Sequence, residues 1–281
     1  MDAQTARRSG PQVVAWVAGI GLAGGLPYEV ASAWSPYAGF LAGLATTALL
    51  LLLYSIAQGN PRLAPAAGAL AIFASLSVFG WFGTVVTAIP AVADWLATAP
   101  VPLAFLVVNA TKFGSVVPAA VVAYKRGWTR DELNLRIGNL NARAVGPLRW
   151  PVVGPAVIVV VLALFLVGTH GYETVVPWVP VILLGTVLNA AAEEFLYRHT
   201  AIRALTDAMG VAGAVALTSV VFGLAHLTGN PGGWTGVLFT TAFGLICALA
   251  MVRTRGFGWN LLIHVCGDIG VVLALSLTTQ R

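Results

Sequence analysis

Apolar runs of membrane-spanning length alternate with short polar connectors along this chain. The runs fall at about residues 13–32, 37–57, 66–88, 101–124, 151–169, 178–197, 211–228, 234–252 and 257–278. Each approaches the ~20 mainly apolar residues that a helix needs to cross a bilayer. Most connectors are short and carry Pro or Gly, as in "QGNPRLAP" (58–65) and "TGNPGGW" (228–234), which punctuate helices. The first two runs can also be read as one broken helical hairpin. The pattern therefore predicts an all-α, polytopic transmembrane helical bundle of eight or nine spans. One connector is long: "YKRGWTRDELNLRIGNLNARAVGPLRWP" (124–151).

Composition agrees with a lipid-solvated chain. Of 281 residues, 58% are hydrophobic and 9% charged, where soluble domains carry roughly 25% charged residues. The mean hydropathy is +0.88. The net charge of +5 comes mainly from arginine in connectors, with no basic stripe interleaved with aromatics. That distribution argues for lipid headgroups and against nucleic acid as a partner. Cys247 and Cys266 lie in apolar runs and suggest neither a disulfide framework nor a Cys-rich metal site.

Charge also orients the chain. The long connector holds Lys125, Arg126, Arg130, Arg136, Arg143 and Arg149, so the positive-inside rule makes it cytoplasmic. With nine spans, Arg7/Arg8, Arg62, Arg198/Arg203 and Arg253/Arg255 share its side, while Asp94, His170 and Glu173 lie opposite. The N-terminus is then cytoplasmic. Arg7 and Arg8 before a small-residue apolar run also resemble a signal peptide. A retained first helix is preferred, because more spans follow rather than a soluble domain. Three parts result: N-terminal membrane helices (1–125), a basic cytoplasmic loop (126–150) and a C-terminal helical part (151–281) holding the candidate chemistry.

Ionisable side chains inside a membrane are expensive and mark functional sites by default. Within the runs these are Glu29, Lys112, Glu193, Glu194, His226, His264 and Asp268. Glu29 sits near a helix end, and Lys112 can snorkel to the interface or pair with a carboxylate. Glu194 and Arg198 are four apart on one helical face. At a surface this spacing would be an ordinary ion pair worth ~0.2–0.5 kcal/mol. Here Arg198 can hold one carboxylate ionised while Glu193, about 100° round the helix, faces a cavity between Asn189 and Tyr197. Two adjacent carboxylates with different partners suit a general base and its support. His226 alone reads more readily as a hydrogen-bonded core residue, and His264 and Asp268, four apart, share a face. If the chain turns near Gly210, Glu193 and His226 reach similar depths, about 20–24 Å from the turn at 1.5 Å per residue.

The residues match a known pattern. "EEFLYR" fits EExxxR, "FGLAH" fits FxxxH and "HVCGD" fits HxxxN/D, in order on successive apolar runs. The chain thereby resembles the CPBP family of intramembrane endopeptidases, which includes type II CAAX prenyl proteases and abortive-infection-like bacterial membrane proteins. The resemblance covers about 178–278, and "LNLRIGNL" is similar to a stretch that often precedes this domain. It implies that Glu193 activates water with Glu194 and Arg198 in support, that His226 positions the water, and that His264 and residue 268 stabilise the oxyanion. Asp at 268 departs from Asn, since an ionised carboxylate cannot donate a hydrogen bond. Metal-independent glutamate chemistry is the expectation. Zinc is the alternative cofactor, with Glu193, His226, His264 and Asp268 as its ligands.

Three function classes follow. The first is an endopeptidase cutting a membrane-associated peptide or protein substrate. A second is a non-catalytic membrane scaffold or bacteriocin-immunity protein, which the resemblance also permits. A third is a transporter relaying protons, disfavoured because the glutamates are confined to one half. The Ala/Gly/Arg-rich, Lys-poor composition points to a bacterial source, and nothing in the sequence reads prenyl groups.

Overall fold

A computed structural model of the chain describes residues 19, 23, 25–60, 63–227 and 229–278. The expected run at 13–32, with Arg7, Arg8 and the signal-peptide question, lies mostly outside the described residues, as do Arg62 and Arg281. The helices are α1 (Leu26–Ser32), α2 (Pro36–Ala57), α3 (Ala64–Ala88), α4 (Pro90–Thr98), α5 (Val101–Ala110) and α6 (Phe113–Lys125). They continue with α7 (Trp150–Leu166), α8 (Val179–Glu193), α9 (Ile202–Leu224), α10 (Gly233–Thr254) and α11 (Gly258–Thr278). A π-helical segment, Glu194–Ala201, joins α8 to α9. Strands β1 (Arg143–Val145) and β2 (Leu148–Arg149) pair as a small hairpin inside the long connector, the one sheet among the described residues.

Sequence dictates these elements locally. Proline opens α1 to α5, α7 and α8 at one of the first two positions, where the missing N–H has no intrahelical partner to lose. Hydroxyls within helices bond back to the preceding turn, such as Thr47 Oγ1 to the Gly43 carbonyl at 3.1 Å and Thr218 Oγ1 to the Ala214 carbonyl at 2.8 Å. These hydroxyls are thereby satisfied within their own helices. Leu41, Leu44, Leu49, Leu52 and Ile56 of α2 are all exposed, as a lipid-facing helix requires.

Five helical stretches among the described residues are long and apolar enough to cross a membrane: Pro36–Ala57, Val101–Lys125, Tyr172–Leu224, Gly233–Thr254 and Gly258–Thr278. Two of the runs expected as separate spans, 178–197 and 211–228, fall within the single stretch Tyr172–Leu224. That stretch is broken at Gly210, whose φ of 73° and ψ of 165° suit glycine alone. A straight helix would hold Tyr197 and Phe222 about 37 Å apart at 1.5 Å per residue. Their rings meet edge to face at 5.0 Å, so the chain doubles back at Gly210. Trp150–Leu166 is shorter.

The long connector is tied down rather than free. Backbone bonds join Asn139 N–H to the Thr254 carbonyl (2.8 Å), Phe257 N–H to Arg136 (2.8 Å) and Gly258 N–H to Ile137 (3.1 Å). The indole of Trp259 donates to the Leu140 carbonyl at 2.9 Å, and Nδ1 of His199 donates to that of Leu133 at 2.6 Å. Gly138, at φ +82°, lies against Gly256 so closely that no Cβ fits between them. The connector thus clamps the α10–α11 turn and the π-helical segment.

The two halves share one core. α3 packs on α6, α9 and the π-helical segment, α5 packs on α8, and α11 packs on α7 and α8. Ile72 and Phe73 of α3, Val122 of α6 and Leu205 of α9 are completely buried within it.

Candidate active site

The paired glutamates stand where α8 passes into the π-helical segment. In such a segment the turn widens to i→i+5, a distortion that recurs at functional sites. Thr200 Oγ1 illustrates the wider turn, donating to the Phe195 carbonyl at 3.0 Å and to that of Leu196 at 2.9 Å. Glu193 and Glu194, about 100° apart round the helix, point to different neighbours.

Glu194 is the inner carboxylate. Its side chain is 2% exposed and faces Arg198, 1% exposed, at 3.5 Å. Its oxygens also accept from Asn260 Nδ2 (2.6 Å) and His264 Nδ1 (2.6 Å). The guanidinium of Arg198 lies 4.2 Å above the Phe222 ring, a cation–π contact that helps to hold a charge with few polar partners. Gly244 leaves room for this stack: a Cβ there would meet Phe222 at 3.0 Å and Arg198 Nη2 at 3.1 Å.

Glu193 is the outer carboxylate, with 13% of its side chain exposed. Its Oε2 faces His264 Nε2 at 3.2 Å, and its Oε1 accepts from the ammonium of Lys112. Lys112 also donates to Asn189 Oδ1, and Asn189 Nδ2 donates to Asp268 Oδ2 at 2.8 Å. Asp268 is therefore bonded principally to Asn189, and its Oδ1 lies 3.8 Å from His264 Nε2.

Five of the six predicted site residues, Glu193, Glu194, Arg198, His264 and Asp268, converge in this cluster. The sixth, His226, sits against Phe222. α9 ends at Leu224, and His226 lies in the following turn, half-buried, with its ring 4.8 Å from that of Phe222. The same Phe222 ring meets His264 edge-on at 5.9 Å, so one aromatic separates the two imidazoles. Nδ1 of His226 donates to the Phe222 carbonyl at 2.9 Å. In the neutral ring, that fixes Nε2 as an acceptor. The link between Glu194 and Glu193 runs through His264, which bridges the two carboxylates.

Sequence reasoning passed over Asn260. Asn260, His264 and Asp268 form an i, i+4, i+8 stripe on α11, a spacing that signals Asn260 in retrospect. Asn189 stands four residues before Glu193 on the same face. Buried His199 serves the connector rather than the cluster.

The residues do not fit the zinc site held open as an alternative. Among the described residues no group of three or more His, Cys, Asp and Glu is arranged to hold a metal ion. Both nitrogens of His264 face carboxylate oxygens, and the Lys112 ammonium occupies the cation position beside Glu193. No catalytic step is derived through a metal.

The fold and cluster define a multi-pass helical membrane protein with a carboxylate–imidazole centre embedded between its helices. Residues 175–270 match the family model for type II CAAX prenyl endopeptidase Rce1-like proteins. The match spans all three motifs and shows the resemblance to CPBP membrane proteases that they carry. Neither a curated protein nor a solved structure matches the chain.

Proposed function

We propose that the chain is a membrane-embedded endopeptidase of CAAX-protease type, metal-independent, in which Glu193 is the general base. One observation carries this reading. Of two adjacent buried glutamates, one is fully committed to Arg198, Asn260 and His264, while the other keeps an exposed edge. Glu193 takes a proton from water, and the resulting hydroxide attacks the scissile carbonyl carbon. The oxyanion collapses, the C–N bond breaks, and Glu193 returns its proton to the leaving amine. The Nε2 lone pair of His226 accepts from that water and orients it. Once Glu193 has taken up the proton, His264, held through Nδ1 by Glu194, turns its Nε2–H from Glu193 to the developing oxyanion, and Asp268 with Asn189 fixes the far side of the pocket.

The substrate is a peptide or protein at the membrane. The chain crosses the bilayer eight or nine times, with the N-terminus, the basic connector and the site's mouth on the cytoplasmic side of a bacterial membrane.

The test compares wild type with Glu193→Gln in lipid vesicles on a panel of membrane-anchored peptides, with and without a strong chelator. Cleavage that disappears in the variant and survives the chelator is expected. Chelator-sensitive cleavage would overturn the metal-independent mechanism. Equal behaviour of the two well-folded proteins would favour a non-catalytic scaffold.

A further inference from the structure

The turn between α5 and α6 carries a lysine that none of the three motifs contains. Lys112 lies outside residues 175–270, in the N-terminal half, at the break Thr111–Lys112 that separates α5 from α6. Its side chain lies against Asn189 and Glu193 of α8, where it is 9% exposed.

Two contacts define what it does there. The ammonium donates to Glu193 Oε1 and to Asn189 Oδ1. An amide whose oxygen faces Lys112 must turn its NH₂ the other way, and Asn189 Nδ2 accordingly donates to Asp268 Oδ2 at 2.8 Å. The side chains form a closed ring: Lys112 to Glu193, Glu193 to His264 (3.2 Å), His264 to Asp268 (3.8 Å), Asp268 to Asn189, and Asn189 back to Lys112.

Charge makes the ring depend on Lys112. The cluster holds the carboxyl groups of Glu193, Glu194 and Asp268. The guanidinium of Arg198 is paired with Glu194. Without Lys112, Glu193 would be left facing His264 Nε2, which also faces Asp268 Oδ1, and an uncompensated carboxylate inside a membrane is costly.

Resting on the endopeptidase reading above, we infer that Lys112 is a positioning residue of the catalytic centre, supplied by the half of the chain outside the family match. It pins Oε1 of Glu193 and, through Asn189, sets the orientation of Asp268, leaving Oε2 as the edge that works with His264 and water. The C-terminal helices are thereby incomplete as a catalyst without the α5–α6 turn.

The experiment measures kcat and KM for wild type, Lys112→Met, Lys112→Arg and Lys112→Ala in vesicles. Misplacing a catalytic group by about 1 Å costs on the order of 100-fold, so Lys112→Met should lose about that factor in kcat while KM stays within about threefold. Lys112→Arg should recover part of the loss. Ethylammonium added to Lys112→Ala should restore kcat saturably, which a purely structural lysine would not allow. Thermal unfolding in detergent supplies a readout independent of turnover: Lys112→Met should lower Tm, and adding Glu193→Gln should restore most of the loss. A Lys112→Met enzyme keeping half of wild-type kcat, while Glu193→Gln is inactive, overturns the inference and leaves the endopeptidase reading intact. A Tm loss that Glu193→Gln does not relieve overturns the pairing itself. Wild type and Glu193→Gln both inactive would refute the endopeptidase reading, and the role of Lys112 within it would fall too.

Discussion

The Arg198–Glu194 pair offers a test of the site's architecture that requires no substrate. Arg198→Met keeps most of the side-chain volume and its contact with the Phe222 ring, because a thioether also packs well against an aromatic. What it removes is the charge facing Glu194 at 3.5 Å, in a pair 1% and 2% exposed. Removing one partner of a buried ion pair typically costs about 3–5 kcal/mol. Glu194 keeps Asn260 and His264, both at 2.6 Å, so the lower end applies. At ~2–4 °C per kcal/mol for a chain of this size, a loss of about 3 kcal/mol lowers Tm by roughly 6–12 °C. Adding Glu194→Gln leaves no stranded charge and should recover more than half of the loss. Cys247, fully buried in α10, is a built-in reporter: in a Cys266→Ala background, its labelling by a maleimide dye on heating in detergent follows unfolding. An Arg198→Met shift below about 2 °C, or a double variant no more stable than Arg198→Met alone, would refute the reasoning that Arg198 exists to hold Glu194 charged.

Three further outcomes are expected. Gly244→Ala pushes on Phe222 and Arg198 at once, so it should cost about 1–3 kcal/mol of stability, and it should depress turnover further because Phe222 also touches His226 and His264; unchanged kinetics and Tm would refute this. Gly138→Ala places a methyl group 2.7 Å from the Thr254 carbonyl at a φ of +82°, and should release the connector, seen as faster trypsin cleavage at Arg130, Arg136 and Arg143. Exposed Glu132 accepts from the Thr129 N–H at 2.9 Å and from its hydroxyl at 3.0 Å, and the backbone bond first, then the hydroxyl, lowers its pKa below the usual carboxylate range. A depressed carboxyl pKa stabilises the fold at neutral pH and loses that contribution as pH falls through the lowered value. The protection factor of the amides around Thr129 should therefore drop as pH falls through that lowered value in wild type, and Glu132→Gln should remove that drop.

Much of the chemistry was legible in the sequence because membranes make charge conspicuous. Glu193, Glu194, Arg198, His264 and Asp268 stood out against apolar runs, and five residues so placed do meet. The turn at Gly210 was legible from glycine alone. What stayed hidden depends on geometry without periodicity. The π-helical segment Glu194–Ala201, which begins at the second glutamate, obeys no sequence rule. The connector reads as a charged loop because its anchoring bonds come from backbone groups, at Arg136, Ile137 and Asn139. Asn260 carries no charge and was overlooked for that reason, although it stands four residues before His264.

The doubled glutamate has a physical meaning that follows from these partners. A lone carboxylate among hydrocarbon would take up a proton and cease to be a base. A carboxylate locked between two cations would remain ionised but have no free edge. Splitting the task resolves the conflict: Glu194 with Arg198 is a buried anchor that orients His264, and His264 with Lys112 then cradles Glu193 from two sides while 13% of its side chain stays open. Exchanging the roles is barred by the packing, because Glu194 has no open edge and Glu193 has no arginine. Glu194→Gln should accordingly reduce turnover through the orientation of His264, whereas Glu193→Gln removes the base itself, and the two defects should not add.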